Sequence, residues 1–253
     1  MTTVPGFEPA WGAPTGVRAF ITDRRGGRSA RPFDGFNTAG HVGDDPEAVV
    51  ANRARLREGL ALPAEPAWLH QVHGTVVTPV TVAGPATQEA DAAYVSEPGA
   101  VAVVQTADCL PVLLARGDGR AAGVAHCGWR SLAGGVLAKL VQALGDPDRQ
   151  QAYLGPAIGP AAFRVGADVR AAFDGSADEA AFRADGDGYR ADLYHLARNR
   201  LIAAGLNEEA IRGGGFCTYT DAERFFSHRR DGRTGRMAAL IWLTGSHAKG
   251  GKR

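Results

Sequence analysis

The sequence predicts a mixed α+β fold in a single domain, and three observations predict it. Strand-like segments at 76–82, 101–105, 111–115 and 121–125 are grouped together instead of alternating regularly with helices. Several of them are apolar on successive residues, the pattern of strands covered on both faces. The chain has 253 residues, 45% of them hydrophobic, and no repeat, low-complexity tract or long charged linker divides it. That length fits one large domain spanning 1–253 with a sizeable core.

Taken in order, Val17–Ile21 is a β-type run meeting Arg24-Arg25-Gly26-Gly27, where paired glycines permit a tight turn. Asp45-Pro46-Glu47 offers an N-cap, a proline suited to a first turn and an acidic group at the positive helix end. Val49, Val50, Leu56 and Leu60 then carry a helix to about Leu60. The segment His70-Gln71-Val72-His73-Gly74 reads as extended, which places its two histidines on opposite faces and favours His73, beside the glycine, as the inward one. Pro111–Ala125 reads as a hairpin-like unit turning at Gly117-Asp118-Gly119. Ser131 is expected to cap a helix running to about Leu144, and Asp192–Ala204 forms another with Leu193, Leu196 and Leu201 on one stripe. Met237–Leu243 closes the chain as a buried strand, followed by a short flexible tail at about 247–253.

With 28 basic against 27 acidic side chains, the formal charge of +1 gives no footprint for nucleic acid or anionic lipid. Three cysteines cannot build a disulfide framework, so a reduced, cytoplasmic setting is expected. The segment Met1–Trp11 lacks a basic region followed by an apolar one, and no apolar run nears the roughly 18 residues of a membrane span.

Seven histidines and three cysteines can be weighed singly. His41 lies in a polar Gly-rich loop just before a helix N-terminus, a setting suited to an anion. His195 and His228 sit among helical and charged residues, and His247 belongs to the tail. Thr106-Ala107-Asp108-Cys109-Leu110-Pro111 places a cysteine at a turn beside an aspartate that, if buried, needs a partner. Folding the following hairpin back brings Cys109 towards His126, in Ala125-His126-Cys127-Gly128-Trp129-Arg130. With His73 these residues make a Cys/His₂ set with an open fourth position, the pattern of catalytic zinc. The same trio could be a Cys–His nucleophile pair, or a copper centre with Met237 as its axial ligand. No His-x-His pair exists for a multicopper cluster, and the His-x-Glu with Pro-Cys-x-x-Cys signature of zinc nucleobase deaminases is absent.

Gln71-Val72-His73-Gly74, Ala90-Asp91, Thr106–Pro111, His126–Arg130 and Gly155–Pro160, together with Asn37, Asn52-Arg53 and Cys217–Trp242, resemble the YfiH-like family, long labelled laccase-domain or polyphenol oxidase proteins. The resemblance covers most of the chain. It implies a mixed-sheet sandwich of two sheets between outer helices, with zinc held by His73, Cys109 and His126. It also implies phosphorolysis of adenosine, inosine and methylthioadenosine, with some adenosine deamination. Small-molecule nucleoside and phosphate are then the partners, and a monomer is expected. Arg53 and Arg130, with His41 as an extra donor, are the candidates for phosphate because guanidinium forks match its oxygens, and Asn37 joins them as a substrate residue. The alternatives are copper-dependent phenol oxidation and a Cys–His hydrolase acting on peptidoglycan precursors. The chain departs from the family pattern at Cys127, Ser131, Ala161, Ala162, Arg164 and Thr220, changes that bear on substrate preference and leave the trio intact.

Overall fold

The computed structural model describes residues 3–173 and 175–245; the tail at 247–253, with His247, lies outside the described residues. Along the chain come strands β1 (Gly6–Phe7) and β2 (Val17–Thr22), helix α1 (Pro46–Gly59), and strands β3 (Val77–Thr81), β4 (Gly84–Pro85), β5 (Ala92–Val95), β6 (Val101–Thr106), β7 (Leu110–Arg116) and β8 (Ala122–Cys127). Helices α2 (Trp129–Ala133) and α3 (Val136–Leu144) lead to β9 (Gln150–Leu154). Then follow β10 (Arg164–Val165), α4 (Ala167–Ala171), β11 (Phe182–Asp185), β12 (Gly188–Ala191), α5 (Leu193–Ala203), β13 (Ile211–Gly213), α6 (His228–Asp231) and β14 (Met237–Leu243).

Two sheets stack between helices. One has the order β1-β2-β14-β6, the other the order β13-β9-β7-β8-β5-β3-β4. The larger sheet is mixed, with β13 parallel to β9 and β3 parallel to β5 while its centre is antiparallel. Alternate side chains of each strand supply different cores, as the pleat requires. Ile21, Ala239 and Ile241 meet Leu113, Val124 and Tyr153 between the sheets. Val112 and Leu114 face outward onto Leu137, Leu140, Leu196 and Leu201 of α3 and α5. Phe20, Val103 and Leu240 face the other way onto Phe36 and onto Leu56 of α1. Every residue of β6, β8 and β14 is buried, which is why those segments read as unbroken apolar runs.

Asp45 caps α1 through the Glu47 N–H, and Pro46 occupies the first turn, as the sequence predicted. Val50, expected to support that helix, is 65% exposed; Val49 and Leu56 form its buried stripe. The helix expected from Ser131 to Leu144 is instead two. Gly128 is the N-cap of α2, Ser131 lies inside it, and α3 starts after Gly135, whose φ of +89° breaks the helical path. A small third sheet, β10-β12-β11, fills a stretch for which the sequence offered no periodic signal.

Candidate metal centre and substrate cavity

The β7–β8 hairpin fixes two members of the trio by register alone. Leu110 pairs with Cys127 and Pro111 with His126, so Cys109, one residue before β7, lies against Gly128. A Cβ on Gly128 would stand 2.8 Å from the His73 ring and 3.1 Å from Cys109 Sγ; only glycine leaves room for the cluster. His73 arrives from a loop. It is not extended, as the sequence suggested, but sits at φ +59°, a left-handed conformation unusual for a side-chain-bearing residue. Asp91 holds it there. The buried Asp91 carboxylate accepts the backbone N–H groups of Val72, His73 and Gly74 at 3.2, 2.9 and 2.6 Å, and also takes His126 Nδ1 at 2.8 Å. One carboxylate therefore orients both histidines and leaves His126 Nε2 free to face the thiol.

The candidate donor atoms of His73, Cys109 and His126 lie within 4.8 Å of one another, with Cys109 Sγ 3.8 Å from His73 Nε2. Burial pushes the Cys109 thiol up, but the neighbouring His126 and His73 outweigh it and bring the thiol down to about 6. His126 responds in the opposite sense: burial lowers it, while the Cys109 thiolate and the Asp91 carboxylate raise it to about 9. Cys127, fully buried and without such neighbours, is pushed well up and is inert by comparison. The donor set fits a metal. Ligands sharing a zinc at its usual bond lengths stand about 3.4–3.6 Å apart, so Cys109 Sγ and His73 Nε2 need contract only slightly and the most separated donors by a little over about 1 Å. A thiolate is already the ligating form, and the Asp91–His126 hydrogen bond is the outer support that metal-bound imidazoles require.

Asp108, at φ +89° on the β6–β7 turn, finds the partners that its burial demands. It accepts Thr218 Oγ1 at 2.6 Å and the Arg229 N–H at 2.7 Å, while its own carbonyl takes the Ile158 N–H at 2.9 Å. Three distant segments are thereby gathered around the trio. Beside it opens a cavity of about 200 Å³ with His73 and Cys109 on one wall. Trp129, Ile158, Phe163 and Leu193 make its apolar lining, and Arg130, His228 and Arg229 its basic edge.

The other sequence-predicted residues divide into two groups. Arg130 lines the cavity and stacks on Trp129 at 4.3 Å. Arg53 and His41 do not line it; they lie near one another, and Arg53 stacks on Trp68 at 3.9 Å and donates Nε to the Thr38 carbonyl. Asn37, expected at the substrate, is fully buried. Its amide is spent on Ala39, Asp44 and the Arg236 N–H, so it shapes the 37–45 loop instead of facing a ligand. Met237 is packed in β14, its sulfur accepting the Phe226 N–H, which is a core role. Sequence reasoning assigns no role to Arg229 or Arg236, weighs His228 only as one histidine among charged residues, and carries Asp91 only within the Ala90-Asp91 motif. A buried-looking aspartate at the head of a strand and the basic run 228–230 were the available signals.

A family model described as multi-copper polyphenol oxidoreductase laccase matches residues 18–244. A purine nucleoside phosphorylase YfiH of Escherichia coli is 50% identical over 239 residues, covering 93% of this chain and 97% of the relative. A purine nucleoside phosphorylase of Pseudomonas aeruginosa is 49% identical over 240 residues, with the same coverage of 93% and 97%. Among solved structures, a Neisseria meningitidis protein superposes with a TM-score of 0.89 at 43% identity, over 95% of this chain and 99% of that one. YlmD of Geobacillus stearothermophilus gives 0.88 at 31% identity, over 96% and 97%.

Proposed function

The chain belongs to the multi-copper polyphenol oxidoreductase laccase family, and from that membership we propose that it is a zinc-dependent purine nucleoside phosphorylase acting on adenosine, inosine and methylthioadenosine. The observation that carries this reading is the pairing of a three-donor centre with an apolar, aromatic cavity edged by cations. The names of its half-identical relatives point the same way.

Bound at His73, Cys109 and His126, zinc would supply Lewis acidity with a coordination position left open. The chain's own groups do the rest. In phosphorolysis the C1′–N bond breaks, a C1′–O bond to phosphate forms, and the purine departs with the bonding electrons. Trp129 and Phe163 offer flat apolar surface to the base; Arg130, which the sequence offered for phosphate, lines the same cavity as Arg229, and we assign both guanidiniums to charge on the departing purine. Arg53 and His41 remain the candidates for phosphate. An adenosine deaminase side activity would use the same centre on a nucleophilic water.

Copper-dependent phenol oxidation, which the family description suggests, is the second reading. A laccase-type cluster needs more imidazoles than this centre has, and the described residues bring together only the one His/Cys group. We read the chain as a cytoplasmic monomer working on small molecules; no helix among its described residues is long and apolar enough to cross a membrane. The deciding experiment incubates the protein with inosine at rising phosphate. Hypoxanthine release should saturate with phosphate, with ribose 1-phosphate formed in step. Release indifferent to phosphate, or free ribose as the sole sugar product, would sink the phosphorylase reading.

A further inference from the structure

Four basic groups gather beside β6, none in an ion pair with a carboxylate among the described residues, although Glu65 bears on Arg53 and Asp108 on Arg236 at longer electrostatic range. They are His41, Arg53, His70 and Arg236, and Thr38 is their hub. The Thr38 carbonyl takes Arg53 Nε at 2.8 Å, while its hydroxyl and N–H both reach the Arg236 carbonyl, at 3.2 and 3.4 Å. The same hydroxyl accepts Gln105 Nε2 at 3.0 Å, and the Gln105 backbone is paired at both N–H and carbonyl with the Gln71 amide, two residues before His73. A continuous hydrogen-bonded chain thus ties the basic cluster to the loop carrying a trio histidine.

Arg236 is the member nearest the chemistry, within electrostatic reach of Cys109 and Asp108. Its backbone is fixed, because its main-chain N–H donates to Asn37 Oδ1 at 2.8 Å. Its Nη1 folds back onto the carbonyls of Thr234 and Gly235, and its Nε and Nη2 have no partner among the described residues. Both Nη atoms of Arg53 are likewise unpaired, above the Trp68 ring. Partial burial, then Arg236, His70 and Arg53, hold His41 below its ordinary range, so the cluster repels itself as it stands. Partly buried cations in this arrangement are stabilised by an anion, and a forked guanidinium with two open donors is shaped for an oxyanion.

We propose that Arg236 grips the attacking phosphate beside Cys109, with Arg53 and His41 completing the cradle, and that Arg130 belongs to the nucleoside end of the site. The proposal rests on the phosphorylase reading and assigns the two substrates to separate sides of the trio. Phosphate would enter through the Thr38 side, and the nucleoside would occupy the Trp129–Phe163 cavity.

The test compares Arg236→Gln, Arg236→Lys and Arg130→Gln with the unaltered protein. Initial rates are followed while inosine and phosphate are varied independently. Arg236→Gln should raise the KM for phosphate about 10- to 100-fold, the loss of charge-assisted bonds, with a much smaller change in the KM for inosine. Arg236→Lys should raise it as well, because a point charge cannot replace the fork, and it serves as the readout should the Gln variant melt early. Arg130→Gln should act on inosine instead. A measurement independent of turnover is the ³¹P line width of inorganic phosphate, which the unaltered protein and Arg130→Gln should broaden and Arg236→Gln should not. An unchanged phosphate constant in both Arg236 variants overturns the proposal, as does a rise confined to Arg130→Gln. Absence of phosphate-dependent base release in the unaltered protein instead overturns the phosphorylase reading itself.

Discussion

Asp91 concentrates the logic of the site in one side chain. Its two oxygens receive three backbone N–H groups and one imidazole, from segments more than thirty residues apart in the chain. Its carboxyl is held below its usual range: burial opposes this, but His126 and the Gly74 and Val72 N–H groups prevail. Asparagine has the same shape but presents an NH₂ to groups that are themselves donors. Asp91→Asn should therefore weaken metal retention about 10- to 100-fold, the usual effect of losing an outer-shell partner. Competition with a chromogenic chelator reads this directly, and retention equal to the unaltered protein would remove Asp91 from the role. Cys109→Ala should abolish turnover while the protein stays folded, whereas Cys217→Ala, which removes a sulfur held by Thr220 and by backbone N–H groups including that of Gly159, outside the trio, should be tolerated far better. Equal losses in two folded variants would deny Cys109 its special place. The trio was legible because its residues sit in compact motifs. Asp91 stood in the Ala90-Asp91 motif, but its role was not legible, since that role is the convergence of backbone donors that only the folded chain brings together.

At the level of elements, local chemistry was a reliable guide where it had no competitor. The Asp45-Pro46-Glu47 start, the 111–125 hairpin and the helix after Asp192 form as their residues dictate, with Asp192 accepting the N–H groups of Tyr194 and His195. It misled at 131–144, where Ser131 suggested the cap of one helix and Gly135 instead divides the stretch into two. The break has a purpose in the packing: α2 carries Trp129 and Arg130 to the cavity while α3 lies flat against β8 and β5. Gly135 makes that turn with φ +89° and open space around its missing Cβ, so Gly135→Ala isolates backbone strain from steric clash. A left-handed alanine costs about 1–2 kcal/mol, which in a domain of this size lowers Tm by roughly 2–8 °C. Differential scanning calorimetry should show that drop with inosine turnover preserved. An unchanged Tm would mean that the helices can re-form as one.

Across the whole molecule, the two-sheet, two-helix-layer architecture was available only through family resemblance, because strands buried on both faces lose the alternation that reveals which side is which. That architecture also separates stability from catalysis. The three large hydrophobic clusters lie between layers, and His73 and Cys109 sit outside them at the strand ends and loops beside the cavity, while His126, on β8, is buried at the rim of the core next to Ala125 and Cys127. A metal bound there stabilises the native state only through its own affinity, in proportion to RT ln(1 + [metal]/Kd), and not by organising the core. We therefore expect purified protein to carry about one zinc per chain. Stripping it with a chelator should abolish base release, lower Tm and leave unfolding cooperative, and restoring zinc should recover both properties. Elemental analysis and calorimetry on the same samples check this. Copper in excess of zinc with a visible thiolate absorption would favour the oxidase reading, and collapse of the stripped protein into a non-cooperative state would show that the centre holds the fold together as well as the substrate.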